Sequence, residues 1–447
     1  MSVEADGFLR AHPEITTIEA LVPDCNGVLR GKWLPQHKLK KVYEGEFKLP
    51  VTTLSLDIWG RDVEELVFES GDADGILRPV EGTLVRTPWA NDDSFGQVLL
   101  SLYNPDGSPY AGDPRNVLKQ VLSRFHNAGW RPVVAAELEF SLLRLEGEDI
   151  RHTCRDLSGR EPIGGDLYSV DVLHDKVELL KDMRSACEAQ GLPFDGIVKE
   201  SAPSQYEINM QHIDNPVLAA DQLTLLKRLV KGVAARHGLI ASFMAKPFAE
   251  EAGNGMHLHC SVLDEKSDNI FDDGSAQGTE LLHHAVAGCM QYMAESMAVF
   301  APNVNSYRRF QPGAHAPTSP CWGYDNRTVS VRIPAGKPAA RRLELRVAGA
   351  DANPYLLYAV MLSAVMEGIA QQLDPGAPIE GDGYEQATEI LPEYLPDALR
   401  LFEASTFIER NLGAELQRIY ACTKWQENNE FRQRITALEY SAYLDKL

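Results

Sequence analysis

Arg342-Leu343-Glu344-Leu345-Arg346 alternates three charged residues with two apolar ones. In a strand, side chains repeat with period two, so Arg342, Glu344 and Arg346 share one face while Leu343 and Leu345 take the other. Three further stretches repeat the device: Glu137-Leu138-Glu139-Phe140, Gln205-Tyr206-Glu207-Ile208-Asn209, and His257-Leu258-His259 behind the turn Gly253-Asn254-Gly255-Met256. Carboxylates suit hard divalent cations, imidazoles extend a metal site, and guanidiniums match phosphate or carboxylate. Together they imply metal-assisted phosphoryl chemistry.

Each piece has a plainer reading beside it. Glu137 and Glu139 interrupt an apolar run at 133–140, where two like charges are costly to bury unless a cation neutralises them; a solvated strand face is the default for an isolated pair of this spacing. Glu200 and Glu207 bracket a loop with one proline that feeds a strand, so both carboxylates reach one ion, although a solvated loop glutamate is the ordinary case. His257 and His259 stand evenly between ligands and hydrogen-bonded histidines, and their mixture with glutamates favours Mg²⁺ or Mn²⁺ over structural zinc. Arginines crowd the stretch from Arg308 and Arg309 through Arg327, Arg332 and Arg341 to Arg346. In so acidic a chain that crowding points to bound phosphates and carboxylates, with surface ion pairs as the alternative for any single one.

With 447 residues the chain buries a substantial core, and its net charge of -21 argues against a nucleic-acid backbone as partner while drawing cations to the surface. Seven scattered cysteines without a Cys-x-x-Cys pair fit a reduced, cytoplasmic protein lacking structural zinc. The acidic N-terminus does not resemble a signal peptide. No membrane span is expected, since the longest apolar run, 355–366, is broken by Ser363 and falls short of the ~20 residues a bilayer requires.

Residues 15–110 read as β-rich. Segments 18–22 and 28–33 flank the turn Pro23-Asp24-Cys25-Asn26-Gly27 as a hairpin, and strand 97–103 ends at the turn Asn104-Pro105-Asp106-Gly107. Asp113 then caps, and Pro114 opens, a helical pattern, which sets a domain boundary between 1–110 and 111–447. A long helix is expected over 217–237, stopping at Gly238. The polar, glycine-containing stretch 146–165 reads as a surface loop, whereas 301–338 is too long and too rich in Pro, Gly and Asn to be a mere connection. No internal repeat is visible.

Taken in order, these motifs resemble the glutamine synthetase superfamily over nearly the whole chain, with Asn326-Arg327 and Arg332-Ile333-Pro334 completing the set. Asn303-Val304-Asn305-Ser306-Tyr307-Arg308-Arg309-Phe310 and Ala350-Asp351-Ala352-Asn353-Pro354-Tyr355 are most similar to its γ-glutamylputrescine (γ-glutamylpolyamine) synthetase branch. The resemblance implies an α+β fold: a small N-terminal β-grasp domain and a glutamine synthetase-type catalytic α/β domain with a curved antiparallel sheet. It also implies a ring-based homo-oligomer, commonly a dodecamer, with active sites between subunits. By motif, Glu139, Glu200 and Glu207 would hold one divalent ion and Glu137, His257 and Glu344 the other. His259, Ser261, Arg332 and Arg342 would face ATP, Arg327 the transferring phosphoryl group, and Gly253, Arg309 and Arg346 the glutamate substrate. Glutamate would take the γ-phosphoryl group of ATP, and an amine would then attack the acyl phosphate.

Two departures from ammonia-using members bear on the acceptor. The flap Gln311-Pro312-Gly313-Ala314-His315-Ala316-Pro317 presents His315 where those enzymes carry a glutamate, and the ammonium loop is replaced by Thr53-Leu54-Ser55-Leu56-Asp57-Ile58-Trp59-Gly60. An alkylamine pocket is expected, with His315 as the base and Asp57 or Trp59 contacting the amine's chain or distal charge. The expected activity is an ATP-dependent γ-glutamyl ligase for a polyamine or diamine such as putrescine. A ligase for ammonia, methylamine or ethanolamine is the alternative, and a silent structural relative is the remaining class. The adenylylation-loop tyrosine motif has no match.

Overall fold

The computed structural model describes residues 3–90, 92–153, 164–311, 313–386 and 389–447; Cys154, much of the expected 146–165 loop and the flap residue Pro312 lie outside them. Its N-terminal strands are β1 (Thr17–Pro23), β2 (Leu29–Pro35), β3 (Phe47–Pro50), β4 (Asp74–Pro79), β5 (Val85–Arg86) and β6 (Phe95–Tyr103). They form one sheet in the order β2-β1-β6-β4-β3, with β5 also on β6. β1 and β2 make the expected hairpin, Ile18 opposite Leu34, while β1 and β6 run parallel at the centre. Alternation divides this sheet's loyalties. Ile18, Ala20, Val22, Val98 and Leu100 enclose a small core of their own, whereas Leu21 and Leu99 point the other way into the main core.

The larger sheet comprises β7 (Arg131–Glu146), β8 (Asp149–His152), β9 (Phe194–Lys199), β10 (Gln205–Met210), β11 (Ile240–Ser242), β12 (Met256–Leu263), β13 (Trp322–Tyr324), β14 (Val331–Ile333) and β15 (Leu343–Leu345). Its order is β13-β14-β15-β12-β7-β10-β9, and the long central β7 also pairs with β8 and β11. The sheet is antiparallel as expected, with the one parallel pairing, β13 with β14, at its edge. A correction falls at 146–165. There β7 continues to Glu146 and returns as β8, Leu143 opposite His152, so the first part of the expected loop is a hairpin. The turn around Gly147, at φ +66, permits that reversal where polar side chains alone suggested irregular chain.

β7 shows how the sequence builds a two-faced strand. Val134, Ala136, Leu138 and Phe140 are fully buried, and the intervening Glu137 and Glu139 face the opposite side. Helices Pro114–Asn127, Pro216–Arg236, Glu280–Gln291 and Pro354–Gln371 cover the apolar face. The first starts as the sequence suggests, with the Asp113 carboxylate accepting from the Arg115 amide. Pro354–Gln371 is apolar on nearly all sides because it lies inside the core. It crosses Glu280–Gln291 at Gly368 and Gly288, where an added Cβ would come within 2.1 Å of the opposing backbone, so glycine lets the two helices touch. No helix among the described residues is long and apolar enough to cross a membrane.

Candidate active site

Strand register assembles the site. Glu207 of β10 lies opposite Glu139 of β7, Glu137 opposite His257 of β12, His259 opposite Glu344 of β15, and Glu344 opposite Arg332 of β14. Because neighbours on one sheet face sit side by side, this pairing sets carboxylates and imidazoles in a continuous row. Ligand atoms of Glu137, Glu207 and His257 lie within 4.8 Å of one another, as do those of Glu137, His259 and Glu344. The expected partition, with Glu139, Glu200 and Glu207 around one ion, is not the tightest grouping. Glu137 instead joins both clusters, since β7 lies between β10 and β12.

The hydrogen bonds orient these groups. Glu137 meets His257 Nδ1 at 3.2 Å and His259 Nε2 at 3.1 Å. Arg342 Nε donates to His259 Nδ1 at 3.2 Å, which makes that nitrogen the acceptor and leaves Nε2–H to donate to Glu137. Glu139 is held by the Gly255 amide at 2.6 Å and by Gln205 Nε2 at 3.0 Å. Glu344 lies between Arg332 Nη1, at 2.9 Å, and Arg346.

The electrostatics ask for cations. Burial, reinforced by the neighbouring carboxylates, pushes Glu207 up to about 9 and Glu200 up to about 7. Burial also opposes ionisation of Glu137 and Glu344, but His257 and His259 beside the first, and chiefly Arg346 beside the second, hold both below the usual carboxylate range. Carboxylates sharing one site at this cost fit a divalent ion, and oxygen ligands mixed with imidazole suit Mg²⁺ or Mn²⁺.

A cavity of about 370 Å³ opens beside the row, lined by Glu137, Glu139, Glu200, Glu207 and His257 together with Gly253, Arg309, His315, Arg327 and Arg346. Arg309 is buried on the turn Ser306–Arg309, and its one described hydrogen bond goes from Nη1 to the Val347 carbonyl at 3.3 Å. Gly253 makes room for it: a Cβ there would lie 2.5 Å from Arg309 Cγ. His315 and Arg327 are exposed, and His315 sits at a left-handed φ of +57. Ser261 continues the His257 and His259 face of β12, two residues beyond His259. Arg332 is engaged by Glu344 and Asp325.

Asp57 and Trp59 are not brought to this cavity. Asp57 is fully buried and accepts from Arg61 Nε at 2.8 Å, from the Trp59 and Arg61 amides, and from Gln426 Nε2 at 2.9 Å. Trp59 is half exposed, 5.5 Å from the Phe431 ring, with the Arg61 guanidinium 4.6 Å from its own ring. Within one chain neither lines the cavity, because both lie against helix Ala414–Gln433, through Gln426 and Phe431.

Sequence reasoning missed Gln205, which ties Glu139 to the Gly253 carbonyl at 2.9 Å and accepts from the Ala202 amide at 3.0 Å. Its position on the Glu207 face was readable, although a neutral side chain carries no metal signal. Leu167 and Tyr168 also line the cavity, anchored by the Tyr168 amide to the Lys199 carbonyl, and no pattern marked them.

Fold and site define a ligase-type centre in which one curved sheet presents metal-binding and phosphate-binding groups. The profile of the family described as "Glutamine synthetase, catalytic domain" matches residues 111–443, and the chain belongs to that family. Among its relatives, gamma-glutamylputrescine synthetase of Escherichia coli is 39% identical over 98% of this chain and 93% of its own length. The glutamate–isopropylamine ligase of a Pseudomonas species is 31% identical over 98% of this chain and 96% of its own. A solved structure of GmaS without ligand superposes with a TM-score of 0.86 at 30% identity, covering all of both chains. The chain is a glutamate–amine ligase of the glutamine synthetase family.

Proposed function

We propose that this ligase joins the γ-carboxylate of glutamate to a diamine or polyamine such as putrescine, in polyamine catabolism, through γ-glutamyl phosphate. The observation carrying the reading is the meeting of Glu137, Glu207 and His257 with Arg309, Arg327, Arg346 and His315 around one cavity. The 39% identity to a gamma-glutamylputrescine synthetase supports the acceptor class.

Arg309 and Arg346 bind the glutamate carboxylates, and Gly253 keeps the approach to Arg309 open. His259, Ser261, Arg332 and Arg342 serve the nucleotide, and Arg327 stands at the cavity for the transferring phosphoryl group. Glu137, Glu139, Glu200, Glu207, His257 and Glu344 would hold Mg²⁺ or Mn²⁺, which when bound neutralises phosphate charge. A glutamate γ-oxygen attacks the γ-phosphorus and ADP leaves. The neutral amine nitrogen then attacks the acyl carbon, phosphate departs with the bonding pair, and the surplus amine proton passes to a base. Alkylammonium is almost fully protonated near neutral pH, so His315 at the cavity is assigned as that base.

The proposal extends to organisation. Residues 1–110 act as the β-grasp domain and 111–447 as the catalytic domain. Subunits assemble in rings, as a dodecamer; exposed Leu438, Tyr440, Tyr443 and Leu444 near the C-terminus and the outward-facing Trp59 support burial against other copies. In that arrangement Trp59 serves a neighbouring cavity, and buried Asp57 holds its loop in place. Free cysteines at all six described positions suit a reducing cytoplasm.

Phosphate release from ATP and glutamate, measured across putrescine, cadaverine, spermidine, ethanolamine, methylamine and ammonium, tests the acceptor. Diamines should give the highest kcat/KM. Preference for ammonium or a monoamine would replace the reading with the alternative ligase, and no turnover with any amine would leave a silent relative.

A further inference from the structure

Behind the turn that carries Arg309 lies a second cavity, of about 480 Å³, between the β1–β2 turn and helix Pro216–Arg236. Val28, Leu29 and Phe243 give it apolar walls, and Lys227, Lys231, Asp351 and Arg228, the last paired with Glu19, supply its charges. The two lysines are four residues apart on one helix face, with their ammonium nitrogens 5.7 and 5.6 Å from the centre of the same Phe243 ring. Like charges at that spacing repel. No ion pair to either lysine occurs among the described residues; Lys227 Nζ donates only to the Ala352 carbonyl, at 2.8 Å. In a chain with 64 acidic residues against 43 basic ones, two neighbouring lysines facing one cavity with Asp351 as its one carboxylate, and no described ion pair to either, are unusual.

We propose that this cavity is a second ligand site, binding a small organic anion whose carboxylate or phosphate is held by Lys227 and Lys231 and whose apolar body lies against Phe243, Val28 and Leu29. The charge logic mirrors that of the catalytic row with the sign reversed. Burial, and the nearness of Lys231, bring Lys227 down to about 7, so an arriving anion favours the charged form that burial opposes.

The cavity wall also reaches the catalytic side. Asp351 accepts from Asn303 Nδ2 at 2.7 Å and from Ser306 Oγ at 2.6 Å, and Ser306 opens the turn that ends at Arg309. Lys227 grips Ala352, next to Asp351. An anion drawing on Lys227 therefore acts on the residues that seat Arg309, and its expected effect is on glutamate affinity.

The test uses benzoate and phenyl phosphate as probes on the full chain, with ATP and glutamate saturating so that the catalytic cavity is filled, and sodium chloride matching ionic strength. Calorimetric titration should show saturable binding, weakened about tenfold or more in Lys231→Met, whose exposed position leaves the melting temperature unchanged. The two probes distinguish a carboxylate from a phosphate head. No saturable binding of either probe, or equal binding by Lys231→Met, overturns the site. In steady-state assays the bound probe should shift KM for glutamate and leave kcat unchanged; binding without that shift overturns the link to Arg309. The binding measurement is independent of the proposed acceptor, whereas the kinetic one rests on glutamate being a substrate.

Discussion

At the scale of single residues, protonation of Glu207 decides how the site takes up metal. Its folded, metal-free value of about 9 stands above the ordinary 4.5, so the folded chain keeps a proton that the unfolded chain has released. That contribution to stability is complete below about 4.5 and lost as pH rises through about 9. A divalent ion must displace the same proton. Mg²⁺ affinity should accordingly rise with pH toward about 9, by about tenfold per pH unit for each proton displaced, as read by titration in buffers of different pH. Glu207→Gln should flatten that slope, weaken Mg²⁺, and stabilise the metal-free chain at high pH by about 1–3 kcal/mol in chemical denaturation. A slope unchanged in the variant would contradict the assignment. Gly253 offers a steric counterpart. A methyl group 2.4 Å from the Ala245 carbonyl and 2.5 Å from Arg309 must displace the arginine, so Gly253→Ala should raise KM for glutamate about tenfold or more with the fold retained by circular dichroism.

At the scale of elements, caps couple the sheets to the helices. Asn353 accepts from the Tyr355 amide at 2.9 Å at the start of Pro354–Gln371, and its side-chain nitrogen donates to the Asp24 carbonyl at 3.0 Å. One side chain thus starts the core helix and holds the β1–β2 turn. Asn353→Ala should destabilise by about 1–3 kcal/mol in urea denaturation, and Asn353→Asp should recover only the capping part. Such elements were legible to different degrees. Period-two alternation exposed the working faces of β7, β10, β12 and β15, and Asp113-Pro114 marked its helix start. Register was not legible: nothing in Glu137-Leu138-Glu139 says that Glu137 faces His257 and Glu139 faces Glu207. The β7–β8 hairpin was hidden because its strands carry polar residues on an exposed edge. Asp57 and Trp59 were placed by motif alone, and packing of the N-terminal sheet decides where they point.

At the scale of the whole molecule, the N-terminal sheet is fastened to the catalytic body by buried polar contacts. Lys424 is fully buried, pairs with Glu427 at 2.9 Å, and donates to Asn26 and Asn303. Glu427 in turn accepts from Asn26 Nδ2 at 2.8 Å and the Ile58 amide at 2.7 Å. Removing one partner strands a buried charge, so Glu427→Ala should cost about 3–5 kcal/mol, and Lys424→Met combined with Glu427→Leu should lose less than Glu427→Ala alone. The same fastening sets the Ile58–Trp59 loop on the outer surface, away from this chain's own cavity.

The central claim is that side chains from three separate strands, β7, β10 and β12, form one divalent-cation site. Anomalous diffraction from crystals of the full chain grown with Mn²⁺ tests it directly. The account predicts a peak within coordinating distance, roughly 2.0–2.4 Å, of Glu137, Glu207 and His257. Mn²⁺ bound only at other residues, with that carboxylate row left without a peak, would contradict it.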